Sequence, residues 1–253
     1  MTLCGFGVLC LGGAEAVEAV DAVDAVDAVE LRLRTLQEAW KSPQASVEIG
    51  WKLAQACFDR AEFATNRTER SSLAERGIEA SKSVLSRDSN SAPGHFFLAM
   101  NLGQLARTRH LSALGLVTDM EVHFLATIAL DPSFLRGAAH RSLGMLYRDA
   151  PGWPASIGSR SKARRYLEKA CELHPLYPEN LLTLMESELG WGERKRVSAR
   201  LSGLDALMAK GVQGSQSAEG SDNWKEWRAR AELVRRQATG SQRLDPGPAS
   251  KGR

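Results

Sequence analysis

The 253-residue chain lacks the short signatures that announce a catalytic or metal centre. It has no P-loop, GxGxxG, GxSxG or zinc-spaced cysteine pair, so neither a phosphate cradle nor a nucleophile elbow is written into it. The four cysteines, Cys4, Cys10, Cys57 and Cys171, show no metal-ligand spacing, and nothing in their use requires an oxidising compartment. The five histidines, His95, His110, His123, His140 and His174, include no HxxxH or HExxH pair, and the many carboxylates show no recognisable pairing. Cys171 and His174, three apart on a predicted helix, are the one nucleophile-like pair, but Cys171 follows the close-packed Ala170 and is expected to be buried. An enzyme is therefore not expected, and neither is a cofactor or a metal. Val and Ile are sparse outside the N-terminus while Ala, Leu, Arg and Glu abound, a balance that favours helix over sheet.

Positive charge is missing from one end. Residues 1–30 hold six acids and no Lys or Arg, so the overall charge of +3 hides a basic remainder. Part of that excess lies in Arg160–Arg165 and Arg194–Arg196, which fall on second helices of helix pairs. Those read as solvated outer faces rather than as a nucleic-acid surface. The apolar start, MTLCGFGVLCLGG, lacks the basic n-region of a secretory leader and is too short to span a bilayer. A cytoplasmic location is expected, with export the alternative if residues 1–16 act as a signal peptide. No other stretch reads as transmembrane. Residues 14–30 repeat Ala-Val-Glu/Asp every three residues, a period that drifts around a helix and gives no clean apolar face.

Helical periodicity organises the rest. Residues 1–43 are expected to hold the apolar start, the acidic tract and a short helix from Leu31 to Trp40. Residues 44–212 are expected to hold about four helix pairs, residues 221–238 a capping helix, and residues 239–253 a disordered tail. The first pair carries Trp51, Ala54, Gln55 and Phe58, then a helix from about Thr68 to Arg87. The second carries Leu98, Leu102 and Leu105, then a helix from about Leu111 to Leu130 closed by Asp131-Pro132. In the third, Leu143, Gly144 and Tyr147 precede Ala163, Leu167 and Ala170, and Pro175 ends the helix. The fourth runs through Leu181, Leu184, Met185 and Leu189, turns at Gly190-Trp191-Gly192, and continues through Val197, Leu201 and Leu204. After a Gly/Ser/Gln linker, Trp224, Trp227, Ala231 and Val234 share one face of a last amphipathic helix.

Leu-Gly-x-x-Tyr followed by Ala-x3-Leu-x2-Ala-x4-Pro resembles the tetratricopeptide (TPR) repeat. The resemblance implies an all-α, antiparallel helix-pair solenoid with a C-terminal capping helix, concave along its first helices. The repeats are longer than usual, and the stretch from Tyr147 to Ser159, with Pro151, Trp153 and Pro154, is read as an elongated turn or a rim over a pocket. Over residues 92–210 the layout is also similar to the T-component proteins of TRAP transporters. That likeness implies a TPR-type accessory protein, usually periplasmic and lipid-anchored, working beside a substrate-binding protein.

Register taken from Leu98, Leu143 and Leu184 predicts the inward-facing side chains. They are Lys52 and Asp59 from the first pair, Phe96, Met100 and Gln104 from the second, Arg141, Met145 and Arg148 from the third, and Leu182 and Glu186 from the fourth, with Trp153 on a loop rim. Arg141 and Arg148, seven apart, share a face and suit a carboxylate or an acidic peptide tail. The competing expectation is that they pair with Asp149 or Glu186. The leading reading is a non-catalytic scaffold holding a protein segment in its groove. The alternatives are a T-component-like protein binding a small molecule or a substrate-binding protein, and an enzyme using Cys171 and His174. A protein partner is expected, and an oligomer is compatible with the pattern.

Overall fold

The computed structural model describes residues 17–109, 113–214 and 221–240, with side chains described for residues 26–109, 113–209 and 223–240. The apolar start, most of the Gly/Ser/Gln linker, His110, Leu111 and all but the first residues of the expected tail lie outside the described residues. Those described form ten α-helices: α1 Val17–Trp40, α2 Val47–Glu62, α3 Arg67–Arg87, α4 Ala92–Ala106, α5 Ala113–Leu130, α6 Phe134–Asp149, α7 Arg160–Leu173, α8 Pro178–Gly190, α9 Arg194–Gly214 and α10 Ser221–Thr239. The chain divides into two compact units, up to Tyr166 and from Leu167 onward.

Within the first unit each helix packs on the next, and the first helices of successive pairs also meet, α2 on α4 and α4 on α6. That pattern of neighbours is what stacking of helix pairs requires. Ser46, Asn66 and Ser91 start α2, α3 and α4 by accepting backbone N–H bonds from Ile49, Glu69 and Gly94. The cap of α3 is thus Asn66, and the helix begins at Arg67, just before the expected Thr68. Glu69 returns a bond from the Thr65 N–H at 2.9 Å, so both orphan donors of that turn are satisfied. α1 is longer than expected, continuous from Val17, and packs on α2, with Leu33 buried and the Arg32 guanidinium donating to Gln55 at 2.8 Å.

α4 is the hub of this unit. Eleven of its fifteen residues are buried, because α2, α3, α5 and α6 surround it. The register residues Leu98 and Leu143 are core positions, at 2% and 0% exposure. α5 rests on α4 and α6 through Ala113, Val117, Met120, Phe124 and Thr127. By length and composition α5 is apolar enough to cross a bilayer, with a mean hydropathy of 1.5 over 18 residues, which corrects the expectation that no later stretch is. Only Asp119 and Glu121 carry charge along it, so its average is high even though it packs as a repeat helix. α6 opens with Leu135, Arg136 and Gly137 all at positive φ, a left-handed turn costly for the first two residues.

In the second unit α8, α9 and α10 pack on one another around Leu182, Met185, Val197, Leu204, Met208, Trp227, Ala231 and Val234. Trp227 is buried at 6% exposure and meets Tyr177 and Trp224 edge-on, so the apolar face of α10 is spent on covering α8 and α9. α9 runs to Gly214, just past residue 212, the expected end of the helix pairs. Glu188, fully buried on α8, is met by the Arg200 guanidinium at 3.1 Å. Asn180 donates to the Ala170 carbonyl at 2.9 Å, tying the start of α8 to α7.

Candidate functional site

A small apolar pocket lies among α2, α4 and α5 of the first unit. Phe58 and Glu62 of α2, Met100, Gly103, Gln104 and Arg107 of α4, and Met120 and Phe124 of α5 line it. Its open volume of about 20 Å³ is close to that of a single water, so as it stands it is a dimple that could seat part of one side chain. The polar rim is built. Glu62 accepts a short hydrogen bond from the buried Gln104 amide and a 3.0 Å bond from the Arg107 guanidinium, which also reaches Gln104 at 3.2 Å. Two of the residues predicted to face inward, Met100 and Gln104, therefore meet at this pocket. Phe58 appeared in the sequence only as a repeat-signature residue. Glu62 and Arg107 gave no periodic signal, because a charge at a helix end is informative only once its partner helix is in place.

The other predicted residues have different neighbours. Lys52 is half-buried and pairs along its own helix with Glu48 at 2.6 Å. Asp59 faces Arg32 of α1 at 3.4 Å, and burial pushes its carboxyl up to about 6, against the pull of Arg32. Phe96 is 4% exposed and belongs to an aromatic cluster with Phe97, Phe124 and Phe134, its ring centroid 5.2 Å from that of Phe97. It is core, not groove surface, because the ring enters the α4–α5–α6 junction. Leu182 is likewise core, fully buried in the second unit. Met145 and Arg141 are half-buried on α6. Arg148 is gripped by its neighbour Asp149, with bonds of 2.6 and 2.8 Å. Glu186 is held by Arg230 of α10, at 2.8 and 2.9 Å.

The elongated turn is ordered by its own backbone. Gly158 N–H donates to Pro151 at 2.8 Å, Ser159 N–H to Tyr147 at 2.8 Å, and Ala155 N–H to Gly152 at 3.1 Å. Gly158 must be glycine, since a Cβ there would stand 2.1 Å from the Ala150 carbonyl oxygen. The Ser159 hydroxyl caps α7 by accepting from Lys162 N–H at 3.3 Å. Trp153, at the tip, does not pack on a neighbour: it is 89% exposed. Cys171 is half-buried rather than buried. Cys57, fully buried, has its thiol pushed up to about 11 by burial and is a small core residue.

A protein-family profile described as regulator of microtubule dynamics protein 1-3 matches residues 16–134. No curated protein matches the chain. Among solved structures, the chain is similar to TTC0263, a thermophilic TPR protein in Thermus thermophilus. The identity is 21% over 85% of this chain and 93% of that one, with a TM-score of 0.56. It is also similar to MamA, at 16% identity over 82% of this chain and 100% of that one, with a TM-score of 0.49. None of these is a T-component of a TRAP transporter. The stacking of helix pairs, the register residues in the core and the likeness to TTC0263 agree: the chain has the helical-repeat fold of the TPR proteins.

Proposed function

We propose that the chain is a non-catalytic TPR scaffold that seats a protein segment on the first-helix surface of its first unit. The observation that carries this reading is the apolar dimple between α2 and α4 with its Glu62–Gln104–Arg107 rim. An apolar socket edged by a fixed carboxylate and guanidinium suits one apolar anchor residue of an extended or helical segment, with polar groups to set its orientation. Trp153, exposed on a turn held by backbone hydrogen bonds, supplies a second point of contact of the residue type that dominates interface energetics. The partner to test first is the microtubule, because the matching family is described as regulators of microtubule dynamics.

Co-sedimentation of the full chain with polymerised tubulin tests that partner. Binding that saturates, weakens with Met100→Glu and Trp153→Ala, and leaves thermal stability of the Trp153 variant unchanged supports the proposal. A chain that stays in the supernatant at all tubulin concentrations removes the microtubule as partner. A microtubule-bound chain indifferent to both substitutions removes this surface as the seat.

A further inference from the structure

We propose that the cleft between α1 and α3 binds a free α-amino acid with an aromatic side chain. Both helices pack on α2 while their backbones stay apart, and the space between them is a cavity of about 450 Å³. Small-molecule sites begin at roughly 300 Å³, so a metabolite fits where the dimple at Met100 admits only part of a side chain. The floor is apolar: Leu53 and Cys57 of α2 and Ala80 of α3 line the cavity and are buried. Cys57 keeps its proton, because burial pushes its thiol up to about 11, and so acts here as a small hydrophobe. Trp40 of α1 is a fixed aromatic wall. The Arg87 guanidinium lies over its ring, 4.5 Å from the centroid, and is itself tied to the Ala45 carbonyl at 2.9 Å. The ring edge rests on Gly50, where a Cβ would stand 2.7 Å from Trp40 Cη2. A wall held from two sides needs no ordering when a ligand arrives.

The charges on the rim divide into a closed pair and an open one. Lys41 is joined to Glu38 at 2.6 Å, so those two largely cancel. Arg76 and Glu79, one turn apart on α3, are exposed and form no hydrogen bond or ion pair with each other or with any other described residue. Arg76 nevertheless acts on the Cys57 thiol, pulling against the burial that raises it, which places the guanidinium close to the apolar floor. An open cation and an open anion beside such a floor select a ligand with both signs of charge and an apolar body. A carboxylate suits Arg76, an ammonium suits Glu79, and an aromatic side chain suits the floor and Trp40. A free amino acid carries both charges on one carbon. A residue inside a peptide has lost both, and a simple aromatic acid or amine leaves one rim group unmatched.

L-phenylalanine, titrated into the full nitrogen-15-labelled chain and followed by NMR, tests the site. Hydrocinnamate, which lacks the ammonium, and phenethylamine, which lacks the carboxylate, serve as comparison ligands. Amide shifts should concentrate in the cleft segments of α1, α2 and α3, together with the Trp40 indole N–H. They should saturate with a Kd on the order of 1 mM, the affinity expected of a ligand of about a dozen non-hydrogen atoms at an open site. Each comparison ligand should bind about two- to fivefold more weakly. Arg76→Gln should weaken L-phenylalanine by about two- to fivefold and leave phenethylamine unchanged. Glu79→Gln should do the same to L-phenylalanine and leave hydrocinnamate unchanged. Both side chains are exposed, so neither variant endangers the fold. No saturable shift in the cleft at concentrations well above that Kd refutes the proposal. Equal affinity for all three ligands, or binding of L-phenylalanine that both variants leave intact, refutes it as well.

Discussion

Removing the guanidinium of Arg230 should undock α10. That side chain joins the last helix to α8 through two carboxylates at once. Its Nε and one Nη donate to Glu186 at 2.8 and 2.9 Å, while the other Nη reaches both oxygens of Glu179 at 3.0 and 2.8 Å. Trp227 Nε1–H also donates to Glu179, at 2.7 Å. Burial works against the arginine's charge, but hydrogen bonds and fields from Glu186 and Glu179 outweigh it and raise its pKa further above the ordinary range. The cluster is not sealed: Arg230 is 22%, Glu179 23% and Glu186 34% exposed, so water screens part of the interaction. Breaking a fully buried pair costs about 3–5 kcal/mol; with this exposure, Arg230→Met should cost about 2–3 kcal/mol. Methionine keeps an apolar stem, which isolates the charge from the packing. Arg230→Lys, which keeps the charge but not the fork, should lose about half as much. Urea unfolding followed by tryptophan fluorescence gives the energies, and amide exchange over α10 shows whether the loss is local. A double-mutant cycle with Glu186→Gln should return a coupling of about 1 kcal/mol or more. A loss below about 0.5 kcal/mol in Arg230→Met, or no coupling, would show that the apolar face alone docks α10 and that the ion network is incidental.

Gly77→Ala should be severely destabilising, by about 2–4 kcal/mol in chemical unfolding, despite alanine's better helix propensity. A Cβ there would stand 2.2 Å from Asn101 Oδ1, and that buried amide cannot retreat without releasing its bonds to the Ala54 and Phe97 carbonyls at 3.0 and 2.8 Å. Asp59→Asn should stabilise the chain at neutral pH by about 1 kcal/mol, after allowance for the lost Arg32 contact and for partial exposure. Asp59 takes its proton near pH 6 in the fold and near the ordinary 3.8 when unfolded, so stability falls as pH rises through that window. In the Asn variant, unfolding free energies between those two values should lose that slope, and an unchanged slope would mean that Asp59 is not its source.

Much of the fold is legible in the chain because helical periodicity is a local property. Leu98, Leu143, Leu184, Ala163, Leu167 and Ala170 recur at offsets that only a packed helix face explains, and all six are buried. Asp131-Pro132 and Pro175 mark helix ends by removing backbone donors and crowding the preceding residue. The Trp224–Val234 stripe likewise carried its own burial in its spacing. What the local pattern could not assign was the fate of the residues beside each stripe. Phe96 and Leu182 sit at positions whose register predicts an inward-facing side chain, yet lie in the core because further helices close over them. Glu186 waited on Arg230, 44 residues away, and Glu62 on Arg107, 45 residues away. Trp153, apolar and flanked by prolines, is left exposed by a turn held backbone to backbone. The sequence by itself determined that the chain is helical, that Asp131-Pro132 and Pro175 end helices, and that the apolar stripes are buried, since these follow from dihedral preference and 3.6-residue spacing. Only the tertiary structure decided which charges meet and which aromatic ring is core or tip, because those depend on distances between segments that the order of residues does not contain.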